Sequence, residues 1–206
     1  MTTASTLSPA FAIVREDLHR LYGAICKPET IDTILDDVIA EFSTAKVTNF
    51  LPVLAEREAA ERIKAISGNA AATPRQEILF ADNRGSGRSQ IATALARHLA
   101  GDNVFVRTIG LNPEDGLNPR VIEALEARGI DTSHLAQKPI TPRVSHRADV
   151  VVLIGIDETP GVPGDRYVEW DIADPAEATD AELSAIIDDI EAKLRALLAE
   201  MNVETH

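Results

Sequence analysis

Nine consecutive residues, Asp82-Asn83-Arg84-Gly85-Ser86-Gly87-Arg88-Ser89-Gln90, have the types and spacing for anion chemistry. They join a short apolar run, Ile78-Leu79-Phe80-Ala81, to a segment with helical periodicity from Ser89 to Leu99. The two glycines let the backbone curl so that successive N–H groups, from Asn83 through Arg88, face a common centre. The helix that follows adds further N–H groups and the positive end of its dipole. Such a nest suits a tetrahedral oxyanion, and the Arg88 guanidinium has the planar fork to clasp two of its oxygens. Spacing alone fits a plain tight connection equally well. The loop is neither GxxxxGK[ST] nor GxGxxG, so neither nucleotide fingerprint applies.

Other candidate residues are weaker. His19, His98, His134, His146 and His206 are scattered without HxxxH or HExxH spacing, so no metal site is expected and no cofactor is implied. Arg120, Arg128, Arg143, Arg147 and Arg166 sit among acidic residues and read as surface charge. Cys26 is the one cysteine, which excludes an intramolecular disulfide and a cysteine-based metal cage. It falls in or near the apolar stripe of a helix, where core packing is its expected role. Asp174-Pro175 is a turn signal, and Ser89 reads as a helix-capping residue.

The loop needs a strand and a helix to hold it, and the chain supplies them in alternation. Strands are expected at Ile78–Ala81, Val104–Val106, Val150–Ile154 and Tyr167–Trp170. Helices are expected at Ser89–Leu99, Pro119–Arg128 and Asp180–Met201. Continuous apolar strands alternating with helices imply an α/β fold whose parallel sheet is covered on both faces. In such sheets ligands bind beyond the carboxyl ends of the strands, which is where Asp82 to Ser89 lies. Ahead of this region, Val14, Leu18, Leu21 and Ile25 form one helical stripe after Ser8-Pro9. Thr30 to Phe42 forms a second, and a third runs from Leu51-Pro52 to Ile66. Three such stripes need one another, so residues 8–66 are expected to form a three-helix bundle. Residues 67–75 read as a linker and 76–206 as the α/β domain.

Composition bounds the function. The 206 residues are 45% apolar, enough for a real core, and carry a formal net charge of −13. The first 70 residues account for −3 of it and the remainder for −10. That acidity argues against bulk nucleic-acid or membrane binding but leaves room for one basic pocket. No apolar run approaches a bilayer span, and MTTASTLSPAF is not a signal peptide, so a cytoplasmic location is expected.

The segment ILFADNRGSGRSQIATALARHLAG resembles the first strand, phosphate loop and helix of the low-molecular-weight tyrosine phosphatases and their arsenate reductase relatives. Asn118-Pro119 with Gly129-Ile130-Asp131, Lys138-Pro139-Ile140-Thr141, Ala148-Asp149-Val150-Val151 and Trp170 to Pro175 look like further motifs of that family, in the family's order. Residues 8–66, with Phe50-Leu51-Pro52-Val53-Leu54, look like the three-helix module fused ahead of some actinobacterial arsenate reductases. The resemblance implies a flavodoxin-like three-layer sandwich with a four-stranded parallel sheet. It implies that Arg88 clamps an oxyanion, that Ser89 bonds the nucleophile and that Asp174 is the general acid.

It also implies a departure. The family loop is Cys-x5-Arg-Ser, and the residue six before Arg88 is Asp82. A carboxylate is a poorer nucleophile than a thiolate and forms no thiol–arsenic adduct. The resolving cysteines of the reductases are missing from Gly155 to Gly164, which reads GIDETPGVPG, and Gly85 stands where the family usually has Asn. In the nest, Asp82 would act as a built-in anion. At ~4 Å and an effective dielectric near 20, a unit-charge repulsion is on the order of 4 kcal/mol, or roughly a thousandfold in oxyanion affinity. Arg84 would offset part of it. The expectation is a catalytically deficient homologue, a pseudoenzyme of the arsenical-resistance type, with a weak or occluded phosphate or arsenate site and a regulatory or binding role. Two alternatives stay open. One is an active phosphatase or arsenate-processing enzyme using Asp82, metal-assisted, with Asp174 as acid. The other is a docking protein that pairs, with itself or with a hetero-partner, through the helical module.

Overall fold

The computed structural model describes residues 9–42, 51–68, 70–113, 116–137, 148–156 and 161–206. Lys138 to Thr141, Arg143, His146 and Arg147, Phe50, and residues 157–160 of the Gly155–Gly164 loop lie outside them. The chain divides into two compact units, Met1–Arg75 and Gln76–His206.

In the first unit α1 (Pro9–Tyr22), α2 (Pro28–Phe42) and α3 (Leu51–Ile66) pack on one another. Prolines open α1 and α2 and stand second in α3, first-turn positions where a missing N–H costs nothing. Val14, Leu18, Ile31, Leu35, Ala59 and Ile63 are buried in one apolar cluster. Cys26 packs against that cluster, half-buried, and burial pushes its thiol pKa up. Arg15 and His19 of α1 reach Asp32 of α2 at 2.5 and 2.8 Å, which fixes the rotation of the two helices.

The second unit is a four-stranded, all-parallel sheet in the order β2-β1-β3-β4, and among the described residues its three helices pack against one face. Its strands are β1 (Glu77–Asp82), β2 (Phe105–Gly110), β3 (Ala148–Ile154) and β4 (Gly164–Trp170). Its helices are α4 (Arg88–Ala100), α5 (Pro119–Glu126) and α6 (Asp180–Glu200). Alternate residues of β1 separate by face. Ile78 and Phe80 join α4, α5 and α6 in the larger core, and Leu79 and Ala81 join Ile109, Val151 and Leu153 on the other side. Phe80 meets Trp170 at a ring separation of 5.9 Å.

All four strands are longer than their apolar signal, β1 by Glu77 and Asp82, β3 by Ala148 and Asp149, and β2 and β4 by more. β2 starts one residue after Val104 and runs on through Arg107 and Thr108 to Gly110, all buried. The guanidinium of Arg107 is held by the equally buried Glu77 at 2.8 Å, so a charged residue continues the strand without an unpaired charge. β4 begins at Gly164 rather than Tyr167, because as an edge strand it tolerates exposed Asp165 and Arg166. Helix α5 ends two residues before Arg128, and Arg128 turns to α6, pairing with Asp188 at 2.7 Å. Arg120 and Arg166 likewise pair, with Asp180 and Glu200.

Candidate functional site

The strand order puts β1 between β2 and β3, so the loop leaving Asp82 emerges at the centre of the carboxyl edge of the sheet. Its conformation is set by where its carbonyls go. Asp82 O and Asn83 O accept from Leu111 N and Asn112 N at 3.1 and 2.7 Å. Arg84 O accepts from Gln137 Nε2 and Gly85 O from Gln90 Nε2, each at 2.7 Å. Ser86 O and Gly87 O accept from Asn118 N at 3.0 Å and Ile91 N at 2.9 Å. Six successive carbonyls are thus engaged by neighbouring segments. In a trans peptide N–H and C=O point in opposite directions, and the amides of Gly85 and Ser89 are the two that turn to the Asp82 side chain.

Two glycines make the curl fit. Gly85 has φ +65°, and a Cβ there would lie 2.9 Å from the backbone of Gly110 at the end of β2. A Cβ on Gly110 would in turn lie 2.7 Å from Arg84 O. The loop and the end of β2 touch backbone to backbone.

Asp82 closes β1 and is 2% exposed. Its Oδ1 accepts a short hydrogen bond from Gly85 N, and its Oδ2 accepts from Ser89 N at 3.0 Å. The carboxylate therefore sits in the mouth of its own loop and takes an amide from the first turn of α4. Ser89 does not cap this helix as the sequence suggests. The N-cap position is Gly87, with no side-chain cap, and the fully buried Ser89 hydroxyl has no hydrogen-bond partner. The capping role falls to Asp82, reaching in from the strand.

Arg88 lies over Gly155 and donates to Ile172 O at 3.0 Å. A Cβ on Gly155 would fall 2.0 Å from its guanidinium, so this path exists only because that residue is glycine. Pro175 leans on the loop from the same side, 2.8 Å from where a Cβ of Gly87 would be. Asp174 Oδ1 accepts from Ala176 N at 3.0 Å, the turn its sequence context suggests, and its side chain borders the cleft. The cleft measures about 340 Å³ and brings together Asp82, Arg84, Ser86, Gly87, Arg88 and Asp174. Asn83 points elsewhere, its Oδ1 accepting from Asn112 Nδ2 at 2.8 Å.

Sequence reasoning missed the residues that hold the loop from outside. Gln90 donates to both Gly85 O and Ala136 O, and Gln137 bridges Arg84 O and Gly116 N. Gln137 reaches Arg84 O from a segment distant in sequence, and Gln90, though only five residues from Gly85, ties it to the equally distant Ala136, which local spacing does not mark. Gly155 carried a readable signal, a glycine directly after the most apolar strand. Among the described residues no three His, Cys, Asp or Glu side chains come together as a metal site would need, and no helix is long and apolar enough to cross a membrane.

Residues 77–206 match the family model described as low molecular weight phosphotyrosine protein phosphatase. Residues 13–67 match a protein-tyrosine-phosphatase-like N-terminal domain. Among solved structures, the thioredoxin-dependent arsenate reductase of Corynebacterium glutamicum is 32% identical, covering 96% of this chain and 98% of its own, with a TM-score of 0.54. The arsenate reductase of Bacillus licheniformis is 32% identical over 112 residues, 52% of this chain and 80% of the relative. Arsenate reductase 2 of Staphylococcus epidermidis is 29% identical over 120 residues, 56% of this chain and 91% of the relative. The chain is a homologue of these arsenate reductases and belongs to the low molecular weight phosphotyrosine protein phosphatase family.

Proposed function

We propose that this chain is a family member without thiol chemistry, whose oxyanion loop is filled by its own Asp82 carboxylate and which acts by binding rather than turnover, in the cytoplasm. The observation that carries the reading is the pair of hydrogen bonds from Gly85 N and Ser89 N to the two oxygens of Asp82. Asp82 stands where the family nucleophile is expected, six residues ahead of Arg88. A carboxylate there cannot take arsenic through a thiol. Cys26, the one thiol, belongs to the helical unit and is half-buried, and its raised pKa disfavours the thiolate.

A filled nest has an energetic consequence. An incoming dianion must displace or face a charge already held by two amides, which at ~4 Å and an effective dielectric near 20 costs on the order of 4 kcal/mol for each unit charge it carries. Arg88 is meanwhile spent on Ile172 O, on the Asp174 side of the cleft.

The test is calorimetric titration of phosphate and arsenate into the unmodified protein and into Asp82→Cys. The unmodified protein is expected to show no binding up to millimolar anion, and Asp82→Cys to bind at least about a hundredfold more tightly. Micromolar binding by the unmodified protein overturns the reading. Because Asp82 and Asp174 border one cleft, the same samples address the competing reading of a carboxylate nucleophile with a general acid. Turnover of an aryl phosphate with Mg²⁺ that disappears in Asp82→Asn would establish that instead.

A further inference from the structure

A second depression adjoins the cleft across Asp174, between the Ile172–Ala178 turn and α6, with a volume of about 480 Å³. Its floor is apolar and small-featured: Ile172, Ala173, Ala178, Ala185 and Ile186. Its rim carries four carboxylates, those of Asp174, Glu177, Glu182 and Asp189, and none of its lining residues is Lys, Arg or His. We propose that this groove seats an arginine side chain of a protein partner, lying along the floor by its methylenes with its guanidinium among the rim carboxylates.

The occupant follows from charge and shape. A metal ion is a poor fit, because among the described residues no three acidic side chains come close enough to hold one. A long side chain with an apolar stem and a cationic head matches an apolar floor with an acidic rim. Arginine suits it better than lysine, since its guanidinium is planar, more weakly hydrated and able to engage two carboxylates at once. Three rim groups are engaged within the domain: Asp174 accepts from Ala176 N at 3.0 Å, Glu182 accepts from Thr179 N at 2.8 Å, and Asp189 holds Lys193 at 3.4 Å. Glu177 has no partner among the described contacts, and it lies three residues beyond Asp174, which the groove shares with the cleft. An arginine seated here would bring its neighbours in the partner chain to the edge of the oxyanion loop. The inference names the partner chemistry for the binding role proposed above.

The test is fluorescence anisotropy of a fluorescein-labelled Gly-Arg-Leu-Arg-Gly peptide with the full chain, against Gly-Glu-Leu-Glu-Gly and in competition with spermine. Saturable binding of the arginine peptide below about 1 mM is expected, with at least a tenfold loss in Glu177→Lys/Asp189→Lys. The control Glu123→Lys, on the exposed side of α5, is expected to bind as the unmodified protein does. Equal loss in the control, equal binding of the glutamate peptide, or displacement by spermine at the same concentration as by unlabelled peptide would overturn the proposal. Phosphate titration reports separately on the loop. An open loop with an intact groove, or the converse, tells the two failures apart.

Discussion

Asp82 differs from a thiolate in shape as much as in reactivity. A carboxylate is a planar two-oxygen acceptor, and it reaches two amides of the nest, Gly85 N and Ser89 N, without leaving the end of β1. The Ser89 hydroxyl is left buried without a hydrogen-bond partner, while the Ser89 amide is the group that meets the carboxylate. Gly85 shows how tightly the loop is drawn. At φ +65° an L side chain costs about 1–2 kcal/mol in backbone strain, and the 2.9 Å approach to Gly110 adds a clash with backbone that cannot swing away. Gly85→Ala is expected to destabilise the second unit by about 2 kcal/mol or more, read as a lowered denaturation midpoint. An unchanged midpoint would mean that the loop relaxes freely and that its carbonyl clasp is weak.

At the scale of elements, the legible parts of the fold were those driven by apolar periodicity. Ile78–Ala81 and Val150–Ile154 are continuous apolar runs, and both became central strands. The end of β2 was not legible, because Arg107 and Thr108 look like loop residues until Glu77 is placed beside them. Strand order and the Gln137 clasp on Arg84 O lie between segments far apart in sequence, where local pattern is silent. The tight curl at Gly85 was legible from glycine spacing, but the sequence pointed to Ser89 for the cap that Asp82 supplies. Helix α6 was the easiest to read, and its start explains why. Thr179 and Glu182 form a reciprocal capping box, with Glu182 N donating to Thr179 Oγ1 at 3.3 Å and Thr179 N to Glu182 at 2.8 Å. The bond from the Thr179 backbone holds the Glu182 carboxyl below its ordinary range. Thr179→Ala is expected to cost about 1 kcal/mol. Because this cap borders the acidic groove, the same variant should also weaken the arginine peptide; a stability loss with unchanged peptide binding would separate the cap from the groove.

For the whole molecule the two units respond to acid through different groups. In the second unit, burial, reinforced by the charge of Arg97, pushes the His134 pKa below its ordinary 6.5, with Asp131 opposing. The unfolded chain then takes up a proton before the folded one does, so this contribution is intact above pH 6.5 and is lost as pH falls through the folded value. In the first unit, burial works to raise the Asp32 pKa, but hydrogen bonds from His19 and Arg15 outweigh it and leave it below the ordinary 3.8. That contribution is intact above pH 3.8 and is lost only as pH falls further. Acid should therefore weaken the Gln76–His206 unit first and the helical unit later. Thermal melts of the full chain between about pH 8 and 3, followed by residue-resolved hydrogen exchange, would check the order. His134→Gln should flatten the decline that begins below pH 6.5 and leave the lower one in place, and Asp32→Asn should do the reverse. If both variants moved the same part of the profile, the two units would be unfolding as one cooperative body, and the division at Arg75 would be geometric only.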